Sequence, residues 1–391
     1  MSLVYPQSDP GVSTPQAHAL LIGVGRYPHL LGGDGPLAIN SFGMGQLPSP
    51  PASAQALANW LIDKRTTTHL NARVPLGTVE LLLSPGTYTA SAGASRTVDD
   101  ATFEKISAAF ENWLARCDRN PENIGIFYFC GHGLERHPDG FLLASDHGDS
   151  HAQPWRNAIN FSVTEQGVRM AAKARTFCWL IDACRNNPID AVQWPAILAQ
   201  PLFSPPIQQF PPRVTQVLRA TTLNDVAHGP TGGGVSFFTA AIIRCLESLG
   251  ASSPRVGPTW RVTTESLRGA MEVLMSRTLL PDGSFGKCDS GGSSNTFGLP
   301  TTLHALPPGA ARALATVTYQ PRAGLEFASL SVERAGVAPL NRPPAPDPWM
   351  LELEVDQYDI RAQFPGGQYP NDALLAQLLA PPAAEYPLGS P

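Results

Sequence analysis

The chain has 391 residues, a formal net charge of −5 and 43% hydrophobic side chains. This length predicts one α/β core of about 300 residues and a smaller C-terminal unit. The small negative charge, without a basic run, argues against nucleic-acid binding. No apolar run reaches the roughly 18 residues of a membrane span, and the N-terminus does not resemble a signal peptide. The six cysteines form no CxxC pair and no disulfide-dense spacing, so we expect a reducing cytoplasm.

Short apolar runs alternate with amphipathic stretches, which is the pattern of a βαβ fold with a parallel sheet. The predicted strands are 18–24, 79–83, 124–130, 141–144, 176–181 and 214–220. The predicted helices are 52–64, about 100–116, 163–173, 237–249 and 259–276, and Asp99 or Asp100 is expected to cap the second of them. We therefore expect an α/β domain over residues 1–305.

The pattern changes after residue 305. Residues 314–333 and 349–364 alternate like antiparallel strands, on either side of a proline-rich link at 338–348. Residues 372–391 are rich in alanine, proline and leucine and are expected to be loosely ordered. Residues 306–391 are thus predicted to be a β-containing accessory or regulatory region.

Two strand ends carry residues with distinctive chemistry. One apolar strand ends in Gly-His132-Gly133, and a later one ends in Asp182-Ala-Cys184. Because sites in parallel sheets form beyond the carboxyl ends of the strands, His132 and Cys184 are expected at the same edge. A nearby imidazole can take the proton of a thiol and make it a nucleophile. The N–H groups of Gly133 and Cys184 are candidate donors to a developing oxyanion.

These motifs resemble the caspase-like (clan CD) cysteine peptidases, which include caspases, metacaspases and bacterial orthocaspases. About 50 residues separate His132 from Cys184, as in caspases. Segments 19–25, 218–222 and 234–239 are similar to the family's opening strand, its groove-lining strand and the start of the following helix. The resemblance covers about residues 15–300. It implies a caspase-like fold, with a central, mainly parallel six-stranded sheet and helices on both faces, and peptide hydrolysis through a thioester without a cofactor.

The resemblance to metacaspases also implies a pocket for the substrate residue before the cleaved bond, called P1. Asp182 would pair there with arginine or lysine, although it could instead be a capping or supporting acid. Asp225 could supply or share this charge, and Asp34 is a further candidate. Arg26 could instead bind a P1 aspartate. The helper acid of many metacaspases is missing, since residues 51–54 read Pro-Ala-Ser-Ala.

The sequence favours no metal site. His147 and His151 stand four residues apart, but in a polar, glycine-containing stretch that is predicted to be a loop, so zinc binding is not expected. Ca²⁺ activates some metacaspases. Asp139, Asp146 and Asp149 lack an EF-hand pattern, however, and are interpreted as part of a solvated loop.

The resemblance implies protein or peptide substrates and, for bacterial members, a role as effectors of antiviral defence or programmed cell death. Three interpretations remain open at this stage. The chain could be a signal-activated protease, or a receptor in which a nucleotide second messenger switches proteolysis on. It could also be a non-catalytic assembly module, in which case a Cys184→Ala variant would keep its full biological effect.

Overall fold

The computed structural model describes residues 2–6, 14–39, 41–64, 71, 73–136, 138–185, 198–204, 214–222, 227–230, 232–252, 259–290 and 300–389. The chain divides into two compact units. The first unit comprises residues 1–243 and 275–301, and the second unit comprises residues 244–274 and 302–391. This division differs from the boundary expected at residue 305, because Arg261–Thr263 forms a strand that pairs with Thr302–Ala305.

The first unit is built on one large sheet. Its strands are β1 (Leu3–Tyr5), β2 (Ala17–Val24), β3 (Leu76–Ser84), β4 (Thr87–Thr89), β5 (Ser95–Thr97), β6 (Ile124–Gly131), β7 (Gly133–Arg136), β8 (Asp139–Leu143), β9 (Ala158–Asn160), β10 (Thr176–Ala183) and β11 (Val214–Arg219). Its helices are α1 (Ser49–Lys64), α2 (Phe103–Cys117), α3 (Phe161–Ala171) and α4 (Phe237–Arg244). Six strands form a sheet in the order β1-β3-β2-β6-β10-β11, in which only β1 is antiparallel to its neighbour. The predicted six-stranded, mainly parallel sheet is confirmed.

Helices cover both faces of this sheet, which explains why its strands read as unbroken apolar runs. Neighbouring residues of β2 show the two faces. Ile22 belongs to the apolar cluster that contains Trp113 of α2. Gly23 points the other way, and a Cβ there would lie 2.5 Å from the carbonyl oxygen of Pro50 and 2.9 Å from Ala54 Cβ in α1. Glycine thus lets α1 pack closely on the sheet.

The start of α2 corrects one expectation. Thr102 is the N-cap, and its side chain accepts a hydrogen bond from the backbone N–H of Lys105. The predicted caps, Asp99 and Asp100, lie before the helix. The carbonyl of Asp99 accepts the N–H of Leu83, so this residue extends alongside β3 instead.

The second unit is rich in short strands. They are β12 (Ala251–Ser252), β13 (Arg261–Thr263), β14 (Thr302–Ala305), β15 (Arg312–Tyr319), β16 (Ser329–Glu333), β17 (Leu340–Arg342), β18 (Trp349–Glu354), β19 (Gln357–Gln363), β20 (Asp372–Leu378) and β21 (Ala383–Leu388). A π-helical turn, Cys245–Leu249, follows α4, and helix α5 (Thr264–Met275) follows β13. The sheets have the orders β12-β13-β14, β18-β15-β21 and β17-β16-β19-β20. The predicted helix at 259–276 is thus a strand followed by a helix.

Residues 372–389 contain two ordered strands, contrary to the expectation of loose order for 372–391. Strand β21 pairs in parallel with β15, and β20 pairs with β19. Tyr386 and Leu388 are buried in the same apolar cluster as Val317. In the described part of the chain, no helix is long and apolar enough to cross a membrane.

Candidate active site

The register of β6 and β10 brings the two predicted residues to one place. The last pair of this ladder joins Gly131 to Ala183, so His132 and Cys184 are the first residues beyond it on adjacent parallel strands. Both line one cavity of about 490 Å³ at the carboxyl edge of the sheet. The structure therefore places His132 and Cys184 together, as the positions of the strand ends predicted.

The backbone of His132 is held by Tyr27. The N–H of His132 donates to the phenol oxygen of Tyr27 at 2.8 Å, and the two ring centroids are 4.8 Å apart. Burial raises the pKa of Tyr27 far above its usual value, so the phenol remains neutral. This buried tyrosine is a fixed acceptor beneath the imidazole.

The side chain of His132 is oriented by a backbone carbonyl. Its Nε2 lies 2.7 Å from the carbonyl oxygen of Gly45. Because a carbonyl only accepts hydrogen bonds, Nε2 carries the proton, and Nδ1 of the neutral ring is the basic nitrogen. Burial lowers the pKa of His132 from its usual 6.5, although the bond to Gly45 partly opposes this. The ring is thus neutral and basic at Nδ1 near pH 7.

Cys184 is half-buried, whereas Cys130 and Cys178 are buried. Its Sγ accepts a hydrogen bond of 3.3 Å from the backbone N–H of Ala227. A donor at this position stabilises the thiolate relative to the thiol, because the negative charge strengthens the bond.

Gly133 lies against the cysteine. A Cβ at this position would lie 2.6 Å from the carbonyl oxygen of Cys184 and 2.9 Å from the Cβ of Ala183. Only glycine therefore allows β7 to approach so closely. The predicted oxyanion donors, the N–H groups of Gly133 and Cys184, belong to backbone segments in contact, and both residues line the cavity.

Asp182 lies in the wall of the same cavity and is only 2% exposed. Its Oδ2 accepts hydrogen bonds from the hydroxyls of Thr239 at 2.8 Å and Tyr128 at 3.4 Å, and from Ser236 Oγ. Burial raises the pKa of Asp182, while donors that include Ser236 and Thr239 lower it. The cavity thus has a buried carboxyl group supported by hydroxyls.

Two other charged candidates for the P1 pocket, Asp34 and Arg26, do not line this cavity. Asp34 forms an ion pair with Arg26 at 2.6 Å, and both side chains are exposed. They line a separate cavity of about 650 Å³ next to α1. Leu47 and Pro48 line both cavities. Asp225 lies outside the described residues.

The acidic loop after β8 has structural contacts. Asp146 is half-buried and accepts the N–H of Phe103 at the start of α2, so it is more than the solvated residue that was expected. Asp149 pairs with Arg156. Among the residues with a described placement, no group of three or more His, Cys, Asp or Glu side chains could hold a metal ion.

Tyr27 and Gly45 were not identified from the sequence. Tyr27 follows β2 in a glycine- and proline-rich loop. Its nearness to the end of a strand is the feature of the sequence that could have indicated a role at the site. Gly45 contributes a carbonyl that every residue possesses, so no side-chain pattern could have indicated it.

The chain belongs to the caspase-domain family of C14 peptidases. The family model described as "Caspase domain" matches residues 16–267, which include both strand ends and the cavity. The chain is also similar to an uncharacterized protein, y4kE, of Sinorhizobium fredii. The two are 30% identical over 241 residues, which is 60% of this chain and 67% of the relative. The family predicted from the two motifs is confirmed, and with it a caspase-like peptidase domain for which proteins are the substrates.

Proposed function

We propose that the protein is a cysteine endopeptidase with Cys184 as nucleophile and His132 as general base, acting without a cofactor. The observation that carries this proposal is the β6–β10 register, since it sets a basic imidazole and a half-buried cysteine beside one cavity.

Proton transfer from Cys184 Sγ to His132 Nδ1 generates the thiolate, which attacks the carbonyl carbon of the substrate. The N–H groups of Gly133 and Cys184 stabilise the oxyanion that forms. His132 then returns the proton to the leaving amine, so the C–N bond breaks and a thioester remains. His132 next takes a proton from water, whose oxygen attacks the thioester carbonyl carbon. The C–S bond then breaks, His132 returns the proton to the Cys184 thiolate, and the acid product is released.

Asp182 favours cleavage after arginine, with lysine second. The carboxyl group is buried in the cavity wall, and a cation that enters the cavity would favour its charged form. The planar guanidinium of arginine can present two N–H donors at once and always keeps its charge, whereas the lysine ammonium group is a single point charge.

Fluorogenic peptides that differ only in arginine, lysine or aspartate at P1 test this proposal. We expect hydrolysis after arginine, less after lysine and none after aspartate. Cys184→Ala should abolish hydrolysis, and Cys117→Ala, which removes a buried thiol of α2, should not. Activity that persists in Cys184→Ala would refute the proposed nucleophile, while cleavage only after aspartate would refute the role of Asp182.

For the cellular role, we propose a signal-activated effector of bacterial antiviral defence or programmed cell death. The resemblance to bacterial caspase-like proteins supports this role, and the second unit is the candidate sensor. Nucleotide second messengers are the first ligands to test, by thermal shift and by their effect on peptide hydrolysis by the full chain. A messenger that raises Tm and also activates hydrolysis would support this role. If the wild-type protein kills bacterial cells that express it, killing that is undiminished in Cys184→Ala would contradict the role.

A further inference from the structure

Arg185, the residue after Cys184, is the centre of a cluster of charges. Its Nε and Nη2 bind the two carboxylate oxygens of Glu135, the second at 2.9 Å. Its Nη1 binds the carboxylate of Asp289 and lies 3.3 Å from the carbonyl oxygen of Thr221. The side chains of Arg185 and Glu135 are 14% and 9% exposed, so solvent screens their attraction weakly.

This ion pair extends the contact between β7 and the cysteine. Gly133 and Glu135 are two residues apart on β7, so the Glu135 side chain and the position that a Cβ of Gly133 would take share one face of the strand. On that face Gly133 lies against the carbonyl of Cys184, and Glu135 binds Arg185. The ladder between β10 and β6 ends at Ala183, one residue before Cys184. The bidentate pair restrains the backbone of Cys184 just beyond the last ladder bond.

We propose that Arg185 is a positioning residue that, through Glu135, sets the spacing between the N–H groups of Gly133 and Cys184. This inference rests on the proposed function, which assigns both groups to the oxyanion. Arg185, Glu135 and Asp289 are not among the described residues that line the cavity. The pair therefore acts on the reaction through the backbone and not through contact with the substrate.

Peptide hydrolysis needs the oxyanion donors, whereas P1 binding and alkylation of the cysteine do not. Loss of one oxyanion donor typically lowers kcat by about 10²–10³-fold, so a donor that is displaced but present should lower it by roughly 10- to 100-fold. Binding of a P1 arginine depends on Asp182 and should change little. Alkylation of Cys184 by iodoacetamide forms no oxyanion, so its rate should also be maintained.

The test compares Arg185→Lys and Glu135→Gln with wild type in the full chain. Arg185→Lys keeps the charge but loses the bidentate fork. The matched control is Arg116→Lys, which alters another buried ion pair, that of Arg116 in α2 with Glu80 in β3 (7% and 4% exposed). The readouts are kcat and KM for a peptide that ends in arginine, affinity for the corresponding peptide aldehyde, the rate of alkylation by iodoacetamide, and Tm.

In both test variants we expect kcat to fall by roughly 10- to 100-fold. The aldehyde should bind more weakly by a similar factor, because the thiohemiacetal that it forms with Cys184 also carries an oxyanion. KM and the alkylation rate should stay within about threefold of wild type. Arg116→Lys should lower Tm and leave kcat unchanged.

Wild-type kcat and aldehyde affinity in both test variants would overturn the inference. So would an alkylation rate that falls in parallel with kcat, because it would indicate a general loss of structure. In both cases the peptidase function stands if the wild-type protein cleaves the peptide. If the wild-type protein neither cleaves the peptide nor binds the aldehyde, with or without the nucleotide second messengers named above, the proposed function itself fails and the inference fails with it.

Discussion

His132 and Gly45 are joined through Nε2 and a carbonyl oxygen 2.7 Å apart, and this contact leaves Nδ1 as the basic nitrogen of the ring. The residues are far apart in the sequence. The loop before α1 is therefore part of the proposed catalytic apparatus, although its side chains supply no acid or base there.

The first prediction concerns the pH dependence of peptide hydrolysis. The pKa of His132 lies below 6.5, so its imidazole loses its proton at a lower pH than a free histidine. We expect kcat/KM to rise with pH through a midpoint below 6.5 and to be near its full value at pH 7. A pH–rate profile measures this midpoint, and an acidic limb centred above 6.5 would contradict the assigned environment of the base.

The second prediction concerns Asp182. Asp182→Asn replaces the carboxyl group in the cavity wall with an amide while it keeps the size of the side chain. A lost charged hydrogen bond of about 1.5–3 kcal/mol corresponds to a fall in kcat/KM of roughly 10- to 150-fold on a P1 arginine substrate. The comparison is Asp34→Asn, which removes a carboxylate from the separate cavity and should leave this ratio unchanged. Equal losses in the two variants would exclude a specific role for Asp182.

The third prediction concerns Tyr27. In Tyr27→Phe the buried N–H of His132 loses its acceptor, which should cost about 1–3 kcal/mol of unfolding free energy and lower kcat through displacement of the ring. Urea unfolding and steady-state kinetics measure the two effects. Tyr88→Phe is the control, since the Tyr88 hydroxyl donates at 2.7 Å to Asn59 of α1. A kcat that is unchanged in Tyr27→Phe would show that this bond only stabilises the fold.

The fourth prediction concerns stability at acidic pH. His147 is fully buried, and burial lowers its pKa from 6.5 to about 4. Between these values the unfolded chain binds a proton that the folded chain does not, so stability is lost as pH falls from 6.5 towards 4. This difference corresponds to about 3 kcal/mol at the lower end. Urea unfolding at pH 7.5 and 4.5 should show this loss in wild type and a smaller one in His147→Phe, and an equal loss in both would contradict it.

The parallel sheet and the two strand ends at the site could be predicted because burial on both faces requires unbroken apolar runs, which are visible in the sequence. Strands such as β6 and β10 are apolar almost throughout and then stop at glycine, histidine or cysteine. Strand β1 was not predicted, since it has only three residues at the edge of the sheet. Strands β20 and β21 were missed for another reason: alanine, proline and leucine give little alternation, and the partner of β21 lies far earlier in the chain.

The candidate site could be predicted only as far as side chains identify it. His132, Cys184, Gly133 and Asp182 were found because they stand at strand ends, and the sheet register brings them together. Asp34 was selected by charge alone, and its distance from Cys184 depends on how a long loop folds. The position of the Gly45 carbonyl depends on the fold of the same loop, and neither composition nor residue spacing could have indicated it.

The division into two units bears on how the sensor role can be tested. The chain passes from the first unit to the second at residue 244, returns at 275 and leaves again at 302. The second unit is thus partly an internal insertion, and no single cut separates the two. A chain that stops at residue 305 would keep β13, α5 and β14 but lose β15 to β21. The function of the second unit is better tested by substitutions within the full-length protein.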